Sequence, residues 1–144
     1  MKSNTMYKKL LLPGLLLGMV VLPGCSDDKE SDDGSFAPAA FETALPGTWK
    51  HAGSYGVEEG EAWSAEFSDA NAVYYTFEAG GAGHYEEKGW TLSYAWTLDD
   101  RTLTLDYDSG RRRSVSIDRM TASGMRWYLT DADGYWYEEL VRVE

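Results

Sequence analysis

From Val73 to Leu129, apolar and polar residues alternate with a period of two, run after run. Val73, Tyr75 and Phe77 are separated by Tyr74 and Thr76, and Leu92, Tyr94, Trp96 and Leu98 by Ser93, Ala95 and Thr97. Leu103, Leu105 and Tyr107 continue the pattern, as do Val115 and Ile117, then Met125, Trp127 and Leu129. Alternation of this kind turns one set of side chains to a core and the other to water, which predicts half-buried β-strands. Asp99-Asp100, Asp108-Ser109-Gly110, Ser123-Gly124 and Asp131-Ala132-Asp133-Gly134 fall between the runs and predict turns. The last run, Tyr135 to Val143, is apolar and aromatic on both faces, so the pattern does not orient it. With Trp49 and its neighbours, and a run near Ala82 to Lys88, the total is roughly seven or eight strands. No stretch carries the i, i+3, i+4, i+7 spacing over helix length, and no repeat is visible. The prediction is one all-β domain, a small antiparallel up-and-down barrel whose closure removes exposed edges. A β-sandwich is the alternative.

The N-terminus follows a different logic. Lys2, Lys8 and Lys9 precede an apolar stretch, Leu10 to Leu22, interrupted by Pro13 and Gly14. That order is the layout of a secretory signal peptide, and the stretch is shorter than the roughly 20 apolar residues a spanning helix needs. It ends in Leu22-Pro23-Gly24-Cys25, which resembles a lipobox, with Pro23 where a small residue is usual. Cys25 is the only cysteine of the chain, so no internal disulfide can use it. The resemblance implies cleavage after residue 24 and a lipid on Cys25, which anchors the protein to a membrane. Ser26 to Gly34 is acidic and has nothing to bury, and residues 25–44 are expected to form the lipidated cysteine and a flexible tether. Its Ser-Asp-Asp start also resembles a short signal that directs some Gram-negative lipoproteins to the outer face of the outer membrane. A plain solvated spacer is the other reading.

Composition narrows the partners. Without residues 1–24 the chain carries 24 acidic and 10 basic residues, a formal charge of −14, which argues against nucleic acid and against adsorption to anionic lipid. The one basic cluster, Arg111-Arg112-Arg113, follows the turn at Asp108-Ser109-Gly110 and reads as a solvated turn facing acids opposite. Residues 45–144 hold all six tryptophans and nine of the ten tyrosines, so a core is easily filled.

Leu45-Pro46-Gly47-Thr48-Trp49-Lys50 resembles the opening of lipocalins, a Gly-x-Trp motif on the first strand, and Glu139-Leu140-Val141-Arg142-Val143 resembles their last strand. The middle, Tyr74 to Gly81 and Trp90 to Leu105, is similar to the lipocalin-like domains of bacterial, Bacteroidota-type lipoproteins. The resemblance implies that Arg142 lies over Trp49 and closes the barrel base over residues 45–144. Lipocalins of the usual kind are longer, and side chains alone can fill an eight-stranded barrel, so the likeness implies ligand binding more than these residues do.

Chemistry is sparse. The two histidines, His51 and His84, read as barrel-mouth or surface residues. No nucleophile elbow, zinc helix or phosphate loop is present, and neighbouring carboxylates such as Glu86-Glu87 point to opposite faces of a strand. Asp131, Asp133 and Gly134 read as a hairpin turn, without the later ligands of a calcium loop. No enzyme, metal or cofactor is expected. Two functions remain. One is an envelope-anchored module binding a small apolar or glycan-like ligand at the barrel mouth, with Tyr55, Trp63, Trp136 and Tyr137 as contacts if exposed. The other is a structural lipoprotein with a filled barrel that holds an envelope protein.

Overall fold

The computed structural model describes residues 34–143, so the expected signal peptide, Cys25 and the first part of the expected tether lie outside the described residues. Nine antiparallel strands are present among them: β1 (Gly47–Glu58), β2 (Glu61–Glu66), β3 (Val73–Phe77), β4 (Ala82–Glu87), β5 (Trp90–Asp99), β6 (Thr102–Tyr107), β7 (Arg112–Met120), β8 (Gly124–Thr130) and β9 (Gly134–Arg142). From β3 to β9 each strand pairs with the next, and β9 returns to pair with β1. The result is a closed eight-stranded barrel plus one extra strand, and the sandwich alternative is set aside.

β1 explains the extra strand. Its first residues, Gly47 to Lys50, pair with β3, while Gly53 to Glu58 pair with β2. Along its other edge it pairs with β9 almost throughout. A bulge between His51 and Gly53 shifts the register there, so the inward set runs Trp49, His51, then Ser54 and Gly56. A bulge of this kind bends a strand and re-aims its side chains. Beyond it, the β1–β2 hairpin rises above the rim. The expectation held for the runs of alternation: Val73, Tyr75, Phe77, Tyr94, Trp96, Leu103, Leu105, Val115, Ile117, Met125 and Trp127 are all buried.

The barrel has two unlike ends. At the closed end sit Trp49, Phe77, Trp96, Met120, Met125 and Leu140, all buried. Helix α1 (Phe41–Ala44), entered through a 3₁₀ turn at Pro38–Ala40, lies across that end and plugs it with Phe41 and Leu45. Phe36 N–H donates to Met120 O at 2.8 Å, and Arg119 Nε donates to Ser35 Oγ at 2.8 Å. The expected tether over residues 25–44 is therefore too long: residues 35–44 are folded onto the barrel, because Phe41 and Leu45 bury apolar surface that an open base would expose.

Trp49 and Arg142 are direct partners across β1 and β9. The guanidinium lies 4.2 Å from the Trp49 ring, within cation–π range. It also donates to Pro46 O at 2.8 Å, to Ala44 O, and through Nε to Ala122 O at 3.0 Å. Trp49 Nε1 donates to Leu45 O at 2.9 Å. One arginine thus serves the carbonyls that end α1, the tryptophan under it and the β7–β8 turn.

Trp49→Ala should cost ~3 to 5 kcal/mol, the range for a buried large aromatic. Arg142→Lys should cost about 1 kcal/mol, because the ammonium loses the fork that reaches three carbonyls, while Arg112→Lys at an exposed ion pair should change almost nothing. Urea melts of the single and double variants should show coupling between positions 49 and 142; additive losses would mean that the ring and the guanidinium act independently.

Candidate binding site

The open end is built from the inward positions nearest the rim. Alternation carried back along β7 from Val115 reaches Arg113, which stands where the lower barrel has aliphatic residues, and exposed Arg111, just before the strand, lines the same open end. Arg113 is the centre of the arrangement. Its Nη1 donates to the Tyr75 hydroxyl at 2.8 Å and its Nη2 to Glu138 Oε1 at 2.6 Å. Its guanidinium lies 5.5 Å from the Trp127 ring. The reading of Arg111-Arg112-Arg113 as a solvated turn fits Arg112, which pairs outward with Asp106, and fails for Arg113, which the strand's period turns inside.

A buried ion pair of this kind gives little net stability, because desolvation offsets most of the attraction. Here the carboxylate is not even fully satisfied. Glu138 Oε2 and Trp127 Nε1 are buried with no hydrogen-bond partner, and the two residues face each other across β8 and β9. A buried polar atom without a partner costs ~1 to 3 kcal/mol, and ordered water or a ligand can supply the missing bond. Burial also holds the Tyr75 and Tyr107 hydroxyls protonated to high pH, with the Arg113 charge acting the other way.

Above this cluster lies a chamber of about 340 Å³, lined by Tyr75, Tyr85, Trp90, Leu92, Tyr107 and the arginines 111–113, with Glu87 at its edge. Tyr75 meets Tyr85 edge-on at 5.3 Å, and Tyr85 meets Trp90 at 6.0 Å. Trp90 stands at the lip, 57% exposed. A second, smaller hollow of about 200 Å³ lies under the β1–β2 overhang, between Trp63, Val57, Glu58, Asp131, Gly134 and Trp136. Trp63 and Trp136 both face Gly56, one from each neighbouring strand. A Cβ on Gly56 would overlap the backbone of Tyr135 and Trp136, so only glycine allows that approach.

The four aromatic residues singled out from the sequence do not form one site. Trp63 and Trp136 share the inner hollow. Tyr55 and Tyr137 are a stacked pair, 5.3 Å apart, on the outer face, where Tyr128 and Tyr135 join them and Arg126 lies 5.1 Å over Tyr137. His84, next to Gly83, is half-buried on β4. His51 is not the mouth or surface residue expected. It is buried against Phe67, at 4.3 Å, because it lies two residues after Trp49 and alternation puts both on the inner face. Its Nε2 lies 3.1 Å from Gly53 O and 2.9 Å from Ser54 Oγ. The carbonyl can only accept, so the bond to Gly53 O uses the tautomer with the hydrogen on Nε2. Asp131 Oδ1 accepts the N–H groups of Asp133 at 2.9 Å and Gly134 at 3.0 Å, the bonding of a hairpin turn. Among the described residues no cluster of His, Cys, Asp or Glu could hold a metal.

Burial lowers the His51 pKa below its ordinary value, against the opposing pull of Glu138. The folded state then keeps His51 neutral where the unfolded chain takes up a proton, so stability should fall as pH drops below ~6.5, by up to ~1.4 kcal/mol per unit for one proton. Chemical melts between pH 7 and pH 5.5 should show this slope in the wild type and a flatter one in His51→Gln. Equal slopes would place the titration elsewhere.

No protein-family model matches this chain, and no curated protein does. Among solved structures, a lipocalin-like protein from Bacteroides uniformis matches with a TM-score of 0.50 at 12% identity, over 69% of this chain and 97% of the other. An uncharacterised protein from Bacteroides eggerthii matches with a TM-score of 0.40 at 12% identity, over 67% of this chain and 98% of the other. At that identity the first likeness speaks to architecture alone. With its closed antiparallel barrel and one extra strand, this chain has the lipocalin-like fold.

Proposed function

We propose that this chain is an envelope lipoprotein whose barrel binds a small ligand at its open end, as a lipid-anchored binding module and not as an enzyme. The observation that carries the reading is the division of the barrel. Its closed half is filled with buried side chains, while its open half leaves a chamber of about 340 Å³ walled by aromatic rings, with Arg113, itself paired to Glu138, in its lining. That volume falls within the range of small-molecule sites, which combine apolar walls with a few placed polar groups. The filled lower half leaves no deep apolar cup, so a ring-shaped, glycan-like ligand fits better than a long lipid.

The anchor rests on the sequence, on Leu22 to Cys25 and the stretch before it, and so does the outer-membrane location. A second reading, a structural lipoprotein that holds a protein partner, draws on the outer tyrosines 55, 128, 135 and 137, since Tyr beside Arg is the usual make-up of contact hot spots.

Native mass spectrometry of the full lipoprotein from its host should show a co-purifying small molecule, absent from Leu92→Trp, which fills the chamber. The same bare mass in both would favour the second reading. Metabolic labelling with a fatty-acid analogue should mark the wild type and miss Cys25→Ala. Label retained in that variant would end the lipoprotein assignment.

A further inference from the structure

The chamber has a charge pattern opposite to that of the chain. The sequence carries 24 acidic residues and 13 basic ones, yet the chamber lining holds three arginines and one acid. These arginines are not equivalent. Arg113 is committed to Tyr75 and Glu138, and Arg112 is turned outward onto Asp106. Glu87, the one acid, accepts the Tyr85 hydroxyl at 2.5 Å. Arg111, just before β7, is placed opposite Tyr107, whose N–H donates to Arg111 O at 2.8 Å, and both residues line the chamber. Among the described residues its guanidinium has no ion pair and no hydrogen bond. It is the one uncommitted charge of the lining, and exposed Trp90 lines the same chamber.

Resting on the binding reading above, we infer that Arg111 receives the carboxylate of a ring-bodied ligand whose ring lies among Tyr85, Trp90 and Tyr107. The planar guanidinium matches a carboxylate through two parallel hydrogen bonds, while the rings supply faces for an aromatic or sugar body. A cationic ligand would meet Arg111 and Arg113 unfavourably. A neutral one would leave Arg111 unused.

The test uses the full lipoprotein in lipid nanodiscs, with empty nanodiscs subtracted, and ligand-observed NMR titration of two matched pairs. One pair is 2-naphthoate and 2-naphthamide; the other is methyl glucuronide and methyl glucoside. In at least one pair the acid should bind about tenfold more tightly than its neutral partner, and more weakly at high salt. Arg111→Gln, an exposed and uncommitted position, should erase that gap without changing the melting temperature, and Arg111→Lys should restore part of it. The preferred pair identifies an aryl or a sugar body. If acid and neutral compounds bind alike, or if Arg111→Gln leaves the gap intact, the inference is wrong and the chamber still stands as a binding site. If no compound binds and Leu92→Trp behaves like the wild type, the binding reading itself falls.

Discussion

A strand in a sheet has two edges, and β1 must serve three neighbours with them. It does so by dividing one edge between β3 below and β2 above, and by giving the other entirely to β9. Closure of the barrel depends on this division. Pairing of sequence-distant ends is entropically expensive to form, because the whole chain between them must first be in place. The Trp49–Arg142 contact sits at the point where those ends meet, and it is satisfied from three directions by carbonyls. Without β9 on β1, both would be exposed edges, and the ring above the plug would lose its shape.

The alternating strands were legible because each has a water face and a core face, and the pattern records which is which. The Trp49–Arg142 juxtaposition followed from resemblance, and the geometry places the two side chains in contact. Other features were hidden for physical reasons. β2 reads Glu-Ala-Trp-Ser-Ala-Glu and overhangs the rim, so it has almost nothing to bury and leaves no periodic signal. β9 sets Glu138 inside and Val141 outside, against the hydrophobic rule, because the open half of the barrel is polar. Ser54 and Gly56 are turned inside by a one-residue bulge, which alternation alone does not register, while His51 follows Trp49 inside by plain alternation. Residues 35–44 looked like tether because their few apolar side chains are useful only against an end that the rest of the chain builds.

The two halves of the barrel therefore obey different rules. The lower half is closely packed and its buried polar groups are paired: Tyr94 donates to Thr76 O at 2.6 Å, and Trp96 Nε1 shares Glu78 O and Ala82 O at 3.0 Å each. The upper half tolerates a buried ion pair and two orphaned atoms, which an aliphatic filling would avoid. The lower half provides the rigidity that holds the upper half's groups in place.

The chain enters the barrel at its plugged end, where Ser35 and Phe36 are fastened to Arg119 and Met120. Only nine residues separate Cys25 from Ser35, a reach of at most ~30 to 35 Å when fully extended. A lipid on Cys25 would thus hold the plug toward the bilayer and turn the mouth toward the surrounding water. On that arrangement the mouth would open to the aqueous phase, and the bilayer would meet only the plugged end.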